Sequence, residues 1–221
     1  MGMGYILLMV VSVGLGLATQ AFIKSQYNKW SRVGISTMET GAQAARRMLD
    51  ANGLYDVRIQ PISGTLTDNY SPKTRVLSLS QGVYSGRSVA STAVACHEAG
   101  HALQHASNYA PLTFRTNLVP AVNLASNLWI IVFILGFSLN SLGLVYVGLA
   151  LFAIAVLFQL VTLPVEFDAS NRALAFVDAQ GLPTQESSGA KSVLKAAALT
   201  YVAAALTSIL QLLYFMGLTR E

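Results

Sequence analysis

Residues 97–101 read His-Glu-Ala-Gly-His, and residues 116–165, TNLVPAVNLASNLWIIVFILGFSLNSLGLVYVGLALFAIAVLFQLVTLPV, follow without one Asp, Glu, Lys, Arg or His before Glu166. The first stretch is metal chemistry and the second is membrane, and the fold has to join them. On an α-helix, His97 and His101 stand about 40° apart round the axis and roughly 6 Å apart along it, so both imidazoles reach one cation. Glu98 then points beside that cation without binding it. HExxH therefore supplies two neutral nitrogen ligands for Zn²⁺ and a carboxylate able to take a proton from water. A catalytic zinc also needs a third protein ligand and one open position.

The composition asks for a lipid solvent. The chain is 53% hydrophobic and only 11% charged, with a mean hydropathy of +0.52, against about 25% charged residues in soluble domains. Tyr5 to Ile23 is long enough to cross a bilayer, and the basic residues Lys24, Lys29 and Arg32 follow this run while none precedes it. That order favours a retained anchor over a cleaved signal peptide. The run 116–165 breaks at Ser138 to Ser141 into segments near Val122–Phe137 and Leu142–Leu163, a transmembrane hairpin. Ala196 to Leu218 makes a fourth crossing. The expected divisions are 1–23, 24–115, 116–165, 166–195 and 196–221.

Charge sets the orientation. Residues 24–115 carry ten Lys or Arg and residues 172–195 carry three, whereas the opposite side receives only Arg220. By the positive-inside rule the polar regions face the cytoplasm and both termini lie outside. The net charge of +4 reflects this bias and not a nucleic-acid partner. One Cys excludes an internal disulfide, and Cys96 in Ala-Val-Ala-Cys reads as a small buried side chain.

Within the first polar region, Thr37 to Asn52 has Ala42, Ala45, Met48 and Leu49 on one face and Gly53 at its end, a helix. Tyr55–Ile59 and Arg75–Leu79 alternate as strands, and Pro61, Gly64, Asp68, Asn69 and Pro72 between them are turn chemistry. Ser88 to Ser107 is the HExxH helix, capped by Ser88. Arg75–Leu79 precedes it by a short loop and is placed to act as an edge strand that a peptide could extend.

Few residues can complete the metal site. His105 lies two turns, about 12 Å, beyond His97. Glu166 follows two crossings, which return the chain to the face it left, so it is a candidate ligand. The plainer alternative is that Pro164 ends the span and Glu166 or Asp168 merely caps a juxtamembrane helix. Arg172, Tyr201 and Tyr70 are candidate partners for an oxyanion.

HEAGHALQH (97–105), PVEFDASNRA (164–173), LTDNYSPKTRVLSLS (66–80) and KSVLKAAALTYVAAAL (191–206) together resemble the YugP-like family of bacterial membrane zinc metallopeptidases, over nearly the whole chain. A broader resemblance is to HtpX-type gluzincins. It implies Glu166 as the third ligand beside His97 and His101, one Zn²⁺ per chain, and Glu98 as the catalytic base. Ser170 stands where the HtpX-type pattern has a second acid, which leaves Asp168 as a nearby group to hold a ligating imidazole.

The expected protein is an α-helical integral membrane protein with four transmembrane helices and a small α+β zincin-like cytoplasmic region. It would hydrolyse proteins or peptides, membrane proteins among them, at the lipid surface of a bacterial cell. A catalytically inactive zinc-binding scaffold is disfavoured because structural zinc closes with four protein ligands. An intramembrane metalloprotease is disfavoured because the HExxH helix is interrupted by His, Glu, Gln and Ser and begins beside Arg87. A transporter lacks its usual mark, an ionisable residue inside the spans.

Overall fold

In the computed structural model, residues 2–219 are described. Met1, Arg220 and Glu221 lie outside them, and with Arg220 the one basic residue expected on the opposite side. The elements are α1 (Met3–Trp30), α2 (Gly41–Asp50), β1 (Arg58–Ile62), β2 (Asn69–Ser71), β3 (Val76–Ser80), α3 (Gln81–Tyr84), α4 (Val89–Ala106), α5 (Ala110–Ser138), α6 (Leu142–Ala179) and α7 (Thr184–Gly217). Among the described residues, α1, α5, α6 and α7 are long and apolar enough to cross a membrane.

Helices that fit the four expected crossings are present, but they run well past the apolar windows. The reason is that hydropathy marks only the lipid-facing part of a helix, whereas the polar ends continue into protein contacts that also satisfy the backbone. The most consequential difference is at Pro164. It does not end the span: α6 passes through it without a break, so Glu166 and Asp168 sit inside one continuous helix and not in the first turn of a new one. Proline removes the N–H that would bond back one turn, yet neighbours hold the segment. Gln104 donates its side-chain amide to the Val165 carbonyl at 2.8 Å, and the Tyr109 hydroxyl reaches the Pro164 carbonyl at 3.5 Å.

The small sheet has the order β1-β3-β2, with β1 parallel and β2 antiparallel to β3. Both expected strands exist, shifted by one to three residues. The stretch read as turn contains β2, which three residues of Asn-Tyr-Ser hid from any alternation test. Consequently β3 is the central strand, with every residue buried, and cannot be the edge that a peptide extends. The edge on the α4 side belongs to β2.

Local chemistry explains the helix ends. Thr40 caps α2 by accepting from the Gln43 N–H at 3.2 Å, while the Gln43 side chain accepts from the Thr40 N–H at 2.8 Å. Ser88 accepts from the Ser91 N–H at 3.1 Å at the start of α4. The polar layer then folds onto the bases of the long helices. Leu77, Leu79, Val83, Val89, Met48 and Leu49 join Trp30, Val177, Val193 and Leu194 in one core. A second cluster lies along the spans, where Phe133, Phe152 and Phe215 gather round Trp129; the Trp129 and Phe152 rings are 4.5 Å apart.

Candidate metal centre

α4 is enclosed by α2, α6 and α7, so a surface motif in sequence becomes a buried one in space. His97, Glu98 and His101 are 8%, 9% and 9% exposed, and Glu166 is 3% exposed. The close approach of α4 to α6 depends on Gly100, inside the motif itself. A Cβ there would stand 2.6 Å from the Ala169 carbonyl oxygen, so only a residue without a side chain lets the α6 backbone come down beside the histidines.

That approach sets Glu166 opposite them. Glu166 Oε2 lies 3.2 Å from His97 Nε2 and 3.6 Å from His101 Nε2, and the three ligand atoms all fall within 4.8 Å of one another. Bonds of about 2 Å in tetrahedral geometry separate ligand atoms by about 3.3 Å, so the two His–Glu spacings fit a shared zinc. The imidazoles are edge to face, with ring centres 4.8 Å apart.

Each ring is held from behind. His97 Nδ1 is 3.1 Å from the Ser170 hydroxyl, and His101 Nδ1 is 3.0 Å from Gln104 Oε1. The Gln104 amide group donates to the Val165 carbonyl and to Asp168 Oδ2, each at 2.8 Å. Because a carbonyl and a carboxylate only accept, the amide must face them with its NH₂ and turn its oxygen to His101. That oxygen needs a donor, so Nδ1 of His101 carries the proton and its Nε2 lone pair points at Glu166. Arg172 donates to the same Asp168 oxygen at 2.6 Å and stacks on Tyr109, which anchors the far end of the chain of bonds.

The electrostatics favour a cation here. Burial works against a charged His101, but the Glu166 and Glu98 carboxylates outweigh it and raise the imidazole above its usual range. Burial also raises the Glu98 carboxyl, against the opposing pull of His101 and His97. Arg115 Nη1 stands 3.4 Å from Glu166 Oε1, on the oxygen that does not face the histidines. A cleft of about 320 Å³ opens over the site, lined among others by Asp68, Tyr70, Glu98, His101, Arg115 and Tyr201.

The structure thus brings together His97, Glu98, His101 and Glu166, and sets Asp168 behind His101 through Gln104. Three residues with direct roles in this geometry were missed or set aside in sequence. Gln104 belongs to no motif, although three positions after His101 it shares that face of the helix. Ser170 looked like a lost acid, yet its hydroxyl meets His97 directly. Arg115 looked like the last charge before the span. His105 stays outside the cluster, 2.9 Å from the Tyr70 hydroxyl. Arg172 is bound to Asp168 and does not line the cleft over the site. Cys96 is fully buried, with its thiol pushed up to about 12 by desolvation.

The sequence model of a family described as "Putative neutral zinc metallopeptidase" matches residues 5–220. The chain belongs to this family. It is also 49% identical over 213 residues to the "Putative membrane protease YugP" of Bacillus subtilis (strain 168), a match that covers 96% of this chain and 95% of that protein. No solved structure matches it. Zinc, peptide hydrolysis and a membrane setting are thus the family's description and its relative's, and the four apolar helices and the His97–His101–Glu166 cluster agree with them.

Proposed function

We propose that this chain is a gluzincin-type membrane zinc metalloendopeptidase, holding one zinc between His97, His101 and Glu166 and cleaving peptide bonds of proteins or peptides at the cytoplasmic face of a bacterial membrane. The observation that carries the reading is that both Nε2 atoms converge on Glu166 while both Nδ1 atoms are engaged elsewhere. Such an arrangement leaves three lone pairs aimed at one point, a zincin-like site with three protein ligands and room for water.

Zinc bound there supplies Lewis acidity toward a water and a peptide carbonyl. Glu98, the catalytic base, takes the proton as the water oxygen bonds to the carbonyl carbon, then passes it to the amine as the C–N bond breaks. Tyr201, Tyr70 and Arg115 border the same cleft and are candidate donors to an oxyanion. Arg172 acts behind the site instead, through Asp168 and Gln104. A peptide backbone can lie along the free edge of β2, which borders the cleft at Asn69 and Tyr70.

The cytoplasmic assignment rests on charge, since thirteen of the fourteen Lys and Arg fall in the two polar regions, 24–115 and 172–195. The test is the Glu98→Gln variant in detergent or nanodiscs. It should retain zinc and lose peptide hydrolysis by at least about 100-fold, within the range general base catalysis supplies. Wild-type turnover in that variant would remove the mechanism.

A further inference from the structure

Glu166 carries two oxygens, and the fold gives them different partners. Oε2 faces the histidines, 3.2 Å from His97 Nε2 and 3.6 Å from His101 Nε2. Oε1 meets a cation instead, Arg115 Nη1 at 3.4 Å. Arg115 stands in the second turn of α5, and its guanidinium also lies over the Phe158 ring, 5.7 Å from the ring centre. Phe158, Thr162 and Glu166 recur at four-residue spacing on α6, so a single face of that helix holds the guanidinium at two points.

We propose that Arg115 is a positioning residue that confines Glu166 to ligation through one oxygen, and so keeps the fourth position of the metal centre open. This rests on the three-ligand site of the proposed function and adds to it the residue that sets how the carboxylate binds. It is independent of any contact between Arg115 and an oxyanion.

Three features argue for it. A carboxylate can give a cation one oxygen or both, and beside three protein ligands the second oxygen competes for the position a catalytic zinc leaves to water. Glu166 is 3% exposed, so without Arg115 its Oε1 has little solvent to bind, and a buried oxygen with no partner is costly. The metal would be its nearest remedy. Arginine also suits the task, because it stays protonated and only donates. It holds Oε1 without becoming a ligand itself. Finally, Arg115 belongs to the other helix of the hairpin, and the cation–π contact with Phe158 fixes its reach. The packing of α5 on α6 therefore decides which oxygen of Glu166 is free.

The test uses the full chain in nanodiscs with Co²⁺ in place of zinc, because the visible absorption of Co²⁺ is intense in four-coordinate sites and weak in five-coordinate ones. Wild type should show the intense, four-coordinate spectrum. Arg115→Met keeps an unbranched stem against Phe158 but removes the cation, and it should hold cobalt with a loss of that intensity. Arg115→Lys retains a cation within reach of Oε1 and should recover it. Three results would overturn the role of Arg115 while leaving the metal site intact: a wild-type spectrum in Arg115→Met, an Arg115→Lys spectrum no nearer wild type than that of Arg115→Met, or an Arg115→Met protein that stays empty at a cobalt concentration that fills wild type. The last would mean that Arg115 supports the site as a whole and does not restrict one ligand. A wild type that takes up no cobalt would instead remove the three-ligand site, and this inference with it.

Discussion

At the residue scale, the behaviour of the site turns on hydrogen bonds that never touch the reacting atoms. Gln104 cannot flip, because its NH₂ has two acceptors and no other group there can replace it. Its oxygen therefore fixes the His101 tautomer. Gln104→Leu should lower zinc affinity by about 10- to 100-fold, read by competition against a chelator; an unchanged affinity would show that the relay is ornamental. Ser170→Ala should weaken zinc similarly through His97. The pairing of His97 with His101 was legible in sequence because HExxH is a contiguous pattern with one geometric meaning. Gln104 was not, since its role depends on Asp168 and Val165, 64 and 61 residues away in the chain and invisible until α6 is laid against α4.

At the scale of elements, the site is a contact between two helices, α4 carrying the histidines and α6 carrying the carboxylate. Gly100 sets their separation. Gly100→Ala inserts a methyl against the Ala169 carbonyl, and backbone cannot yield as a flexible side chain can. The expected outcome is an overpacking cost of about 1–3 kcal/mol in denaturant or thermal unfolding, together with weakened zinc binding as Glu166 moves back. A variant with wild-type stability and affinity would mean the helices have slack here. The spans were readable from hydropathy because lipid selects composition over long windows. The passage of α6 through Pro164 was not, because tertiary contacts can hold a helix across a local breaker, and Gln104 and Tyr109 bind the Val165 and Pro164 carbonyls from other elements. The exchange of β3 for β2 at the sheet edge has the same origin: strand order is a long-range property, and Asn69–Ser71 is too short to show a period.

At the scale of the whole molecule, a metal held by His97, His101 and Glu166 would link the polar layer to the α5–α6 hairpin. Zinc that binds the folded state and not the unfolded one should stabilise it by about 2.7 kcal/mol at a concentration one hundred times its dissociation constant. Chelation should therefore lower the unfolding temperature, and added zinc should restore it; insensitivity to both would disconnect the metal from the fold. Orientation can be read with a thiol reagent, since native Cys96 is fully buried and stays silent. Lys73→Cys, in the polar layer, should label only from the cytoplasmic side. Asn140→Cys, at the turn between α5 and α6, should label only from outside. The reverse pattern would invert the topology and move the site to the other face of the membrane.

The central claim is that a carboxylate 65 residues beyond His101 completes the metal site across a membrane hairpin. A zinc titration of purified Glu166→Ala beside wild type tests it without reference to any substrate. The account predicts one tightly held zinc in wild type and a dissociation constant raised at least about 10-fold in the variant. Equal affinity and equal stoichiometry in the two proteins would contradict it.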